Sequence, residues 1–455
     1  MRRASPGPRA GMPTCTGVRR LLAAAAVALA SVSAAAAQEA PLTLERLEAM
    51  ALANNPTLGQ ARTQVEASRG RARAAGAFPN PIVGYSAEEM SFGPVIQGGE
   101  HGVFVEQTIP LGGKLGLARQ VFVRETSEAE SLAEIQRQRI LTTVRRLYYE
   151  ALAAERRVAV QERLAALVGE ASTVTRQLYN VGAADHPDVL ETDVEGRRAL
   201  LQLERARNRR FTIWRQLAAA VGEPGLRPQP LAGTIEEAIP ELERDAALGA
   251  VLERSPQLAA ARAAVERNRA ALGLARRETF PDLFLRGGVN YNRELLETRG
   301  PASERRRVGW EGTFEAGVSL PLFNRNQGGV SAALAEQSRA ELEVRRLELA
   351  LESRFSEVFE QYVTALRASE TYRTEMLPRA EEAYRLYLAR YREMAAAYPQ
   401  VLIAQRSLLE LTDEYLESLD GAWRAALTVQ GLLVDGALEE PGRRGESPAI
   451  GENRR

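Results

Sequence analysis

A stretch without proline runs from Lys114 to Val181, and its length determines the dimensions that we expect for this protein. Its Ala, Leu, Glu and Arg content favours a single helix, which at 1.5 Å per residue is about 100 Å long. A stretch of equal length, Val330 to Ala397, contains one proline, Pro378, where we expect a kink. Helices of this length exceed the core of a globular domain, so the chain is predicted to be elongated.

Apolar residues along both stretches recur in steps of three and four, which predicts coiled-coil seams. The first seam runs from Leu164 to Leu178, and the second runs from Leu377 to Tyr398 and includes four tyrosines. The tyrosine row could form a ladder for a ligand, although packing within the seam is the simpler interpretation.

Each long helix is predicted to reverse at a short turn. The turns lie near Gly182–Asp188 (GAADHPD) and Ala395–Gln400 (AAAYPQ). Return helices are then expected from Val189 to about Val221 and from Val401 to about Val434. Each half of the chain therefore contains one long helical hairpin.

The sequence also contains two copies of one unit. Several residues recur at a spacing of 200: Pro56 with Pro256, Leu58 with Leu258, and Arg62 with Arg262. Proline landmarks follow in the same order, which chance similarity between Ala- and Glu-rich helices does not explain. The predicted organisation is a signal peptide (1–37), a first repeat (38–222), a linker (223–240), a second repeat (241–436) and a disordered tail (437–455).

The N-terminal residues are predicted to be removed. Five arginines and no acid precede an apolar run from Leu21 to Ala30, and an Ala-x-Ala cleavage pattern ends at Ala37. The run is too short to span a bilayer, and no later apolar run is long enough for a transmembrane helix.

Cys15 is the only cysteine, so a disulfide framework and a Cys/His zinc site are both excluded. The balance of 59 basic and 59 acidic residues disfavours nucleic-acid binding.

Two strand-like segments follow the short helices in each repeat, at about 82–110 and 282–320. From Trp310 to Leu320 the apolar residues alternate with Glu, Thr and Ser. Each run is about as long as a tilted strand that spans a bilayer, roughly 9–11 residues. Alternation also fits any half-buried antiparallel sheet. Export without an apolar helix favours strands that face lipid.

Four strands cannot close a barrel, and open sheet edges are not tolerated in lipid. Several chains must therefore share one barrel. Two chains give eight strands with a filled interior, whereas three give twelve strands with room for a lumen. The polar loops Ser91–Glu100 and Arg293–Gly309 are expected to face outside the cell.

Several of these segments together resemble the TolC family of outer-membrane efflux channels. They are the helix starts at Leu44 and Leu242, the strand–helix junctions Val105–Lys114 (VEQTIPLGGK) and Gly317–Gly329 (GVSLPLFNRNQGG), and the turn Tyr179–Leu190 (YNVGAADHPDVL). The junctions are most similar to the cobalt–zinc–cadmium branch of that family.

This resemblance implies a mainly α protein with a membrane β-barrel. Three chains would form a homotrimer in which the helical hairpins build an α-barrel and four strands per chain build a shared 12-stranded β-barrel. The implied function is a passive exit duct for heavy-metal cations, not an enzyme, with no cofactor. The implied partners are a periplasmic adaptor, an inner-membrane resistance-nodulation-division (RND) pump and the lipid of the outer membrane.

The family's turns form the periplasmic tip, which closes the pore and meets the adaptor. The tip residues implied here are Val181, Gly182, Asp185, Asp188, Arg392, Ala395, Tyr398 and Gln400. Ala395 replaces a usual Gly, and Gln400 and Ile403 stand where the family often has acids. We expect Asp188 and Arg392 to help hold the tunnel shut, Arg392 by pairing with an acid of a neighbouring hairpin. The alternative is that both are solvated charges.

Other functions remain open at this stage. A channel for drug efflux or for type I protein secretion shares the fold. A periplasmic coiled-coil adaptor is the alternative from another class, but it would have one hairpin and soluble β domains. The pair Asp185–His186 could bind a cation, although a solvated turn is the simpler interpretation. The sequence contains no G-x-S-x-G motif and no P-loop.

Overall fold

The computed structural model describes residues 41–89, 99–297, 305–395 and 398–441. The predicted signal peptide, the centres of the two strand-connecting loops and the end of the predicted tail lie outside these residues.

The described elements follow the same order twice. The first repeat comprises α1 (Leu44–Asn54), α2 (Pro56–Ala75), β1 (Ile82–Glu88), β2 (Glu100–Pro110), α3 (Lys114–Asn180) and α4 (His186–Val221). The second comprises α5 (Arg244–Arg254), α6 (Pro256–Arg277), β3 (Asp282–Glu297), β4 (Arg305–Val318), α7 (Gln327–Thr371), α8 (Leu377–Arg392) and α9 (Tyr398–Gln430).

Local chemistry fixes the break between the first two helices of each repeat. Asn55 ends α1 and caps α2, because its Oδ1 accepts the Thr57 N–H at 3.0 Å. Pro56 and Pro256 each occupy the first turn of the following helix, where a missing N–H costs nothing. The 200-residue spacing in the sequence is therefore a repeated helix–proline–helix junction.

The long helix of the second repeat is interrupted. A π-helical turn, Tyr372–Met376, separates α7 from α8, and Pro378 lies in the first turn of α8. Proline has no N–H to donate to the carbonyl four residues earlier, so the helical ladder breaks just before it. In the first repeat α3 continues without interruption for 67 residues.

The four strands form one antiparallel sheet in the order β1-β2-β3-β4. β2 pairs with β3 from Glu100↔Asn292 to Pro110↔Asp282. β3 pairs with β4 from Leu283↔Val318 to Asn292↔Gly309 and, after an irregularity in the register, on to Glu297↔Arg305. The sheet therefore joins the strands of both repeats. Within the described residues β1 and β4 each have one neighbouring strand, so two edges are open.

The register divides the sheet into an apolar and a polar face. Val103 lies opposite Tyr85 and Val289, all on one face and all about half exposed or more. On the same face of β4, Trp310 and Phe314 are 75% and 77% exposed. The other face carries the row Glu106, Arg286 and Glu315. This division is the one that the alternating sequence predicts.

The largest buried cluster surrounds the middle of α3. There Trp423 of α9 stacks on Tyr149 of α3, with 3.7 Å between the ring centroids. The Trp423 Nε1–H donates to the Ile235 carbonyl at 3.0 Å. Ile235 and Leu231, in the segment 223–240, are themselves buried. The predicted linker is thus a packed part of the core that joins the repeats.

The chain remains ordered beyond α9. The Thr57 hydroxyl and the Gln136 amide donate to the Ala437 carbonyl at 2.9 and 3.2 Å. Asp435 accepts a hydrogen bond from Thr143 at 2.8 Å. Ala437 is buried, so the tail boundary expected at 437 is placed too early. A short loop after a helix gives no sequence signal for packing against a helix about 300 residues away.

No helix in the described part of the chain is both long enough and apolar enough to cross a membrane.

We expect Trp423→Ala to lower the free energy of unfolding by about 3–5 kcal/mol, because it removes a buried ring from the central cluster. Trp423→Phe keeps an aromatic ring and loses the indole hydrogen bond, which should cost about 1 kcal/mol. Thermal unfolding in detergent measures both changes as shifts in the midpoint. Equal midpoints for wild type and Trp423→Ala would contradict the packing.

Candidate functional site

The first hairpin turn is built around a left-handed glycine. α3 ends at Asn180, and Gly182 has φ +76°. The Gly182 N–H donates to the Tyr179 carbonyl at 3.0 Å and the Ala183 N–H to the Leu178 carbonyl at 2.8 Å. A glycine is favoured here because it has no Cβ to clash at positive φ. The neighbouring Val181 is 76% exposed at the end of the hairpin.

Asp185 and Asp188 start the return helix. The Asp185 N–H donates to the Asp188 carboxylate at 3.3 Å, and Asp188 lies in the first turn of α4. A carboxylate at this position satisfies a free N–H and interacts favourably with the helix dipole. His186 lies beside Tyr179, with 5.7 Å between the ring centroids. Asp188 is therefore a helix-capping residue.

The second hairpin turn also contains a residue with positive φ, but that residue is not a glycine. α8 ends at Arg392, and Met394 has φ +59°. The Ala395 N–H closes the turn on the Arg390 carbonyl at 2.8 Å. The left-handed residue is thus Met394, one position before Ala395, the position at which the resemblance implies a glycine. For a residue with a Cβ this conformation costs roughly 1–2 kcal/mol. Residues 396 and 397 lie outside the described residues.

Tyrosines pack between the two hairpins. Tyr398 is 2% exposed and lies beside Tyr391, with 5.6 Å between the ring centroids. Both belong to a buried cluster with Tyr384 and with Ala171 of α3. The Tyr391 hydroxyl hydrogen-bonds the Thr175 hydroxyl at 3.0 Å. The predicted seam is therefore buried at these positions, where it packs the first hairpin against the second.

Two residues of the predicted seam lie outside the buried cluster. Met394 is 69% exposed and Tyr387 is 37% exposed. Met394 follows the last residue of α8, where the helical spacing no longer applies. The step of three and four predicts a helix face only as far as the helix continues.

The buried phenols stay neutral over a wide pH range. Burial raises the pKa of Tyr398, and the carboxylates of Glu191 and Glu195 raise it further. Burial likewise raises the pKa of Tyr384 and of Tyr391. Because these pKa values are higher than in the unfolded chain, the contribution of the neutral phenols to stability is complete below about pH 10 and is lost as the pH rises through the folded values.

Charged residues flank the tyrosine cluster. Arg392 of α8 forms an ion pair with Glu170 of α3. Glu195 of α4 accepts from Arg198 at 2.7 Å and from Arg406 of α9 at 2.5 Å. Arg392 therefore pairs with Glu170 of the first hairpin of the same chain. Asp188 and Arg392 have different partners within the chain.

The apolar stripe in the sequence does not single out Glu170, Thr175, Glu195 or Arg406. Their only sequence signal is their place beside an apolar stripe, the positions that form interhelical ion pairs in coiled coils. Such positions do not reveal which helix supplies the partner.

The start of α9 is free of acids. Its first turn contains no Asp or Glu, Gln400 is exposed, and Ile403 is 68% exposed. Across the described residues, no group of three or more His, Cys, Asp or Glu side chains is arranged to hold a metal ion.

Two long helical hairpins on a four-stranded antiparallel sheet, with the repeat order preserved, define a subunit of an outer-membrane channel. The chain belongs to the outer membrane efflux protein family, whose model matches residues 47–223 and 247–432. Members of this family are transport ducts and not enzymes. The two matched segments correspond to the two structural repeats.

Individual relatives agree with this assignment. The cobalt-zinc-cadmium resistance protein CzcC of Cupriavidus metallidurans is 24% identical over 393 residues, which cover 86% of this chain and 90% of CzcC. The outer membrane protein OprJ of Pseudomonas aeruginosa is 26% identical and covers 80% of this chain and 78% of its own. A crystal structure of CusC superposes with a TM-score of 0.71 at 16% identity, over 86% of this chain and 92% of that one. The predicted fold class, long hairpins with four barrel strands per chain, is confirmed.

We expect Tyr398→Phe to stabilise the tip, because the buried Tyr398 hydroxyl has no hydrogen-bond partner among the described residues. Removing an unsatisfied buried hydroxyl gains about 1 kcal/mol, whereas Tyr391→Phe should lose about 1 kcal/mol with its bond to Thr175. Amide hydrogen exchange in α8 and α9 measures both. Slower exchange in Tyr391→Phe than in Tyr398→Phe would contradict this assignment.

Proposed function

We propose that this chain forms the exit duct of a tripartite RND efflux system and carries heavy-metal cations across the periplasm and the outer membrane. The observation that supports it most is the similarity to CzcC, which is aligned over 90% of its length and is named for cobalt, zinc and cadmium resistance. A periplasmic adaptor and an inner-membrane RND pump are the proposed partners.

The proposed assembly is a homotrimer. A sheet with two open edges leaves N–H and C=O groups without partners, and lipid offers none. Three sheets joined edge to edge would give twelve strands and a lumen. The apolar face would then contact lipid, and the polar face with Glu106, Arg286 and Glu315 would line the lumen.

The proposed location is the outer membrane, reached after removal of the signal peptide. The two hairpin tips would extend into the periplasm, where the exposed Val181, Ala395 and Gln400 are available to the adaptor.

Selection among metals is assigned to the pump. The described residues contain no cluster of metal ligands, and the start of α9 has no acids. We therefore propose that the duct conducts what the pump delivers.

Drug efflux is a second candidate function, because the similarity to OprJ, whose name carries no metal, extends over 80% of this chain. The two candidates differ in what the duct carries and not in its architecture.

Deletion of the gene distinguishes the two candidates. We expect the deletion strain to become several-fold more sensitive to cobalt, zinc and cadmium, and a plasmid copy to restore resistance, because the duct is the only exit for the pump. The minimal inhibitory concentrations of hydrophobic antibiotics serve as the control and should not change. Sensitivity to antibiotics alone would support the drug-efflux alternative.

The gate is also proposed to lie at the tips, where Asp188 and Arg392 contribute to the closed state. An exposed ion pair contributes about 0–1 kcal/mol, so three copies amount to a few kcal/mol at most. We expect Asp188→Ala with Arg392→Ala to raise single-channel conductance in planar bilayers, with a smaller effect at high salt.

A matched control is Arg385→Ala, since Arg385 is an exposed arginine of α8 that pairs within its own helix with Glu382. It should leave conductance unchanged. If the double variant forms trimers and conducts like wild type, the tyrosine cluster closes the tip without these charges.

A further inference from the structure

The segment between β4 and α7 displays large apolar side chains that no other described residue covers. Phe323 is 96% exposed, and Leu320 and Leu322 are 62% and 64% exposed. The segment is held in place, because the Asn326 side chain donates to the Ala275 carbonyl at 2.9 Å and to the Glu278 carboxylate at 2.7 Å. Its apolar residues are therefore presented on a fixed loop at the end of α6.

Arginines surround the same loop. Arg276 and Arg277 lie in the last turn of α6, next to the contact with Asn326, and Arg325 lies in the loop itself. All three are exposed, and none has an ion-pair partner within 4 Å among the described residues. The one acid at this contact, Glu278, accepts a hydrogen bond from Asn326. The Arg277 guanidinium lies over the Phe280 ring, 4.9 Å from its centroid. The loop is thus an apolar surface beside positive charge that no ion pair among the described residues neutralises.

This surface continues the apolar face of the sheet. The face begins with Trp310, which packs edge-on against Tyr291 at 5.3 Å between the ring centroids, and continues through Phe314 and Val318 to Leu320. The ten residue-to-residue steps of extended chain from Trp310 to Leu320 measure roughly 33 Å. At the usual strand tilt this is about 25 Å of height, the thickness of the apolar band of outer-membrane barrels.

We propose that Leu320, Leu322, Phe323, Arg276, Arg277 and Arg325 form a collar that binds phospholipid at the periplasmic leaflet of the outer membrane. The apolar residues insert among the acyl chains and the three guanidinium groups bind the headgroup phosphates. Aromatic residues at one end of an apolar band and arginines at the other match the two interfaces of a bilayer. The inference depends on the proposed function, because it requires the sheet to lie in a membrane.

Spin labelling tests where the loop lies. A nitroxide attached to Phe323→Cys in the full protein, reconstituted in vesicles of phosphatidylethanolamine and phosphatidylglycerol, should collide several-fold more often with oxygen than with a water-soluble nickel chelate. A label at Met394→Cys on the hairpin tip is the control and should show the reverse. Infrequent collisions with both reagents at residue 323 would mean that a second copy of the chain covers the loop. Frequent collisions with the nickel chelate would mean that the loop is exposed to water. Either result overturns the proposal.

Native mass spectrometry of the detergent-solubilised protein tests whether the three arginines of the collar bind anionic lipid. Each arginine near an anionic surface increases the affinity for that surface about fivefold. The variant Arg276→Gln/Arg277→Gln/Arg325→Gln should therefore raise the apparent Kd for phosphatidylglycerol at least tenfold. The matched control Arg339→Gln/Arg345→Gln/Arg379→Gln removes three exposed arginines of α7 and α8 and should leave the Kd unchanged. Equal Kd values for the two triple variants overturn the proposal.

Conductance of the same wild-type samples separates this inference from the proposed function. A wild-type protein that conducts but shows no lipid contact at residue 323 disproves the collar alone. A wild-type protein that shows lipid contact at residue 323, while deletion of its gene changes neither metal nor antibiotic sensitivity, disproves the duct alone.

Discussion

The open edges of the four-stranded sheet determine how the chain can assemble with other copies of itself. β1 and β4 each lack one neighbour among the described strands, and their outward face is apolar. Unpaired backbone groups cannot remain in lipid, so in the proposed membrane location this sheet would be complete only when other copies pair with its edges. Because of the internal repeat, each chain supplies two pairs of strands and two helical hairpins.

Contacts between the repeats hold the hairpins in a fixed relation to the sheet. Lys114, the only lysine in the sequence, forms an ion pair with Asp282 at 2.7 Å and so ties the start of α3 to the start of β3. At the middle of α3, Trp423 and the segment after α9 bind the second repeat to the first. These contacts join the two repeats at the start and at the middle of α3.

The relative sizes of the interactions decide what holds the tips together. Burying a large apolar side chain contributes about 1.5–3 kcal/mol, whereas an exposed ion pair contributes about 0–1 kcal/mol. Tyr384, Tyr391 and Tyr398 are buried between the hairpins, while the Arg392–Glu170 pair is about half exposed. The aromatic seam therefore supplies most of the association of the hairpins within one chain, and the charges can only adjust it.

The sequence alone determined the repeat, the long helices and the two faces of the sheet, because each follows from local spacing. Proline positions fix where helices begin, and the alternation from Trp310 to Leu320 fixes which side chains share a face. Only the tertiary structure decided that Arg392 pairs with Glu170, that Ala437 is buried against Gln136, and that Met394 takes the left-handed position. These features depend on which distant segments come together, and residue spacing along one helix does not encode the partner on another.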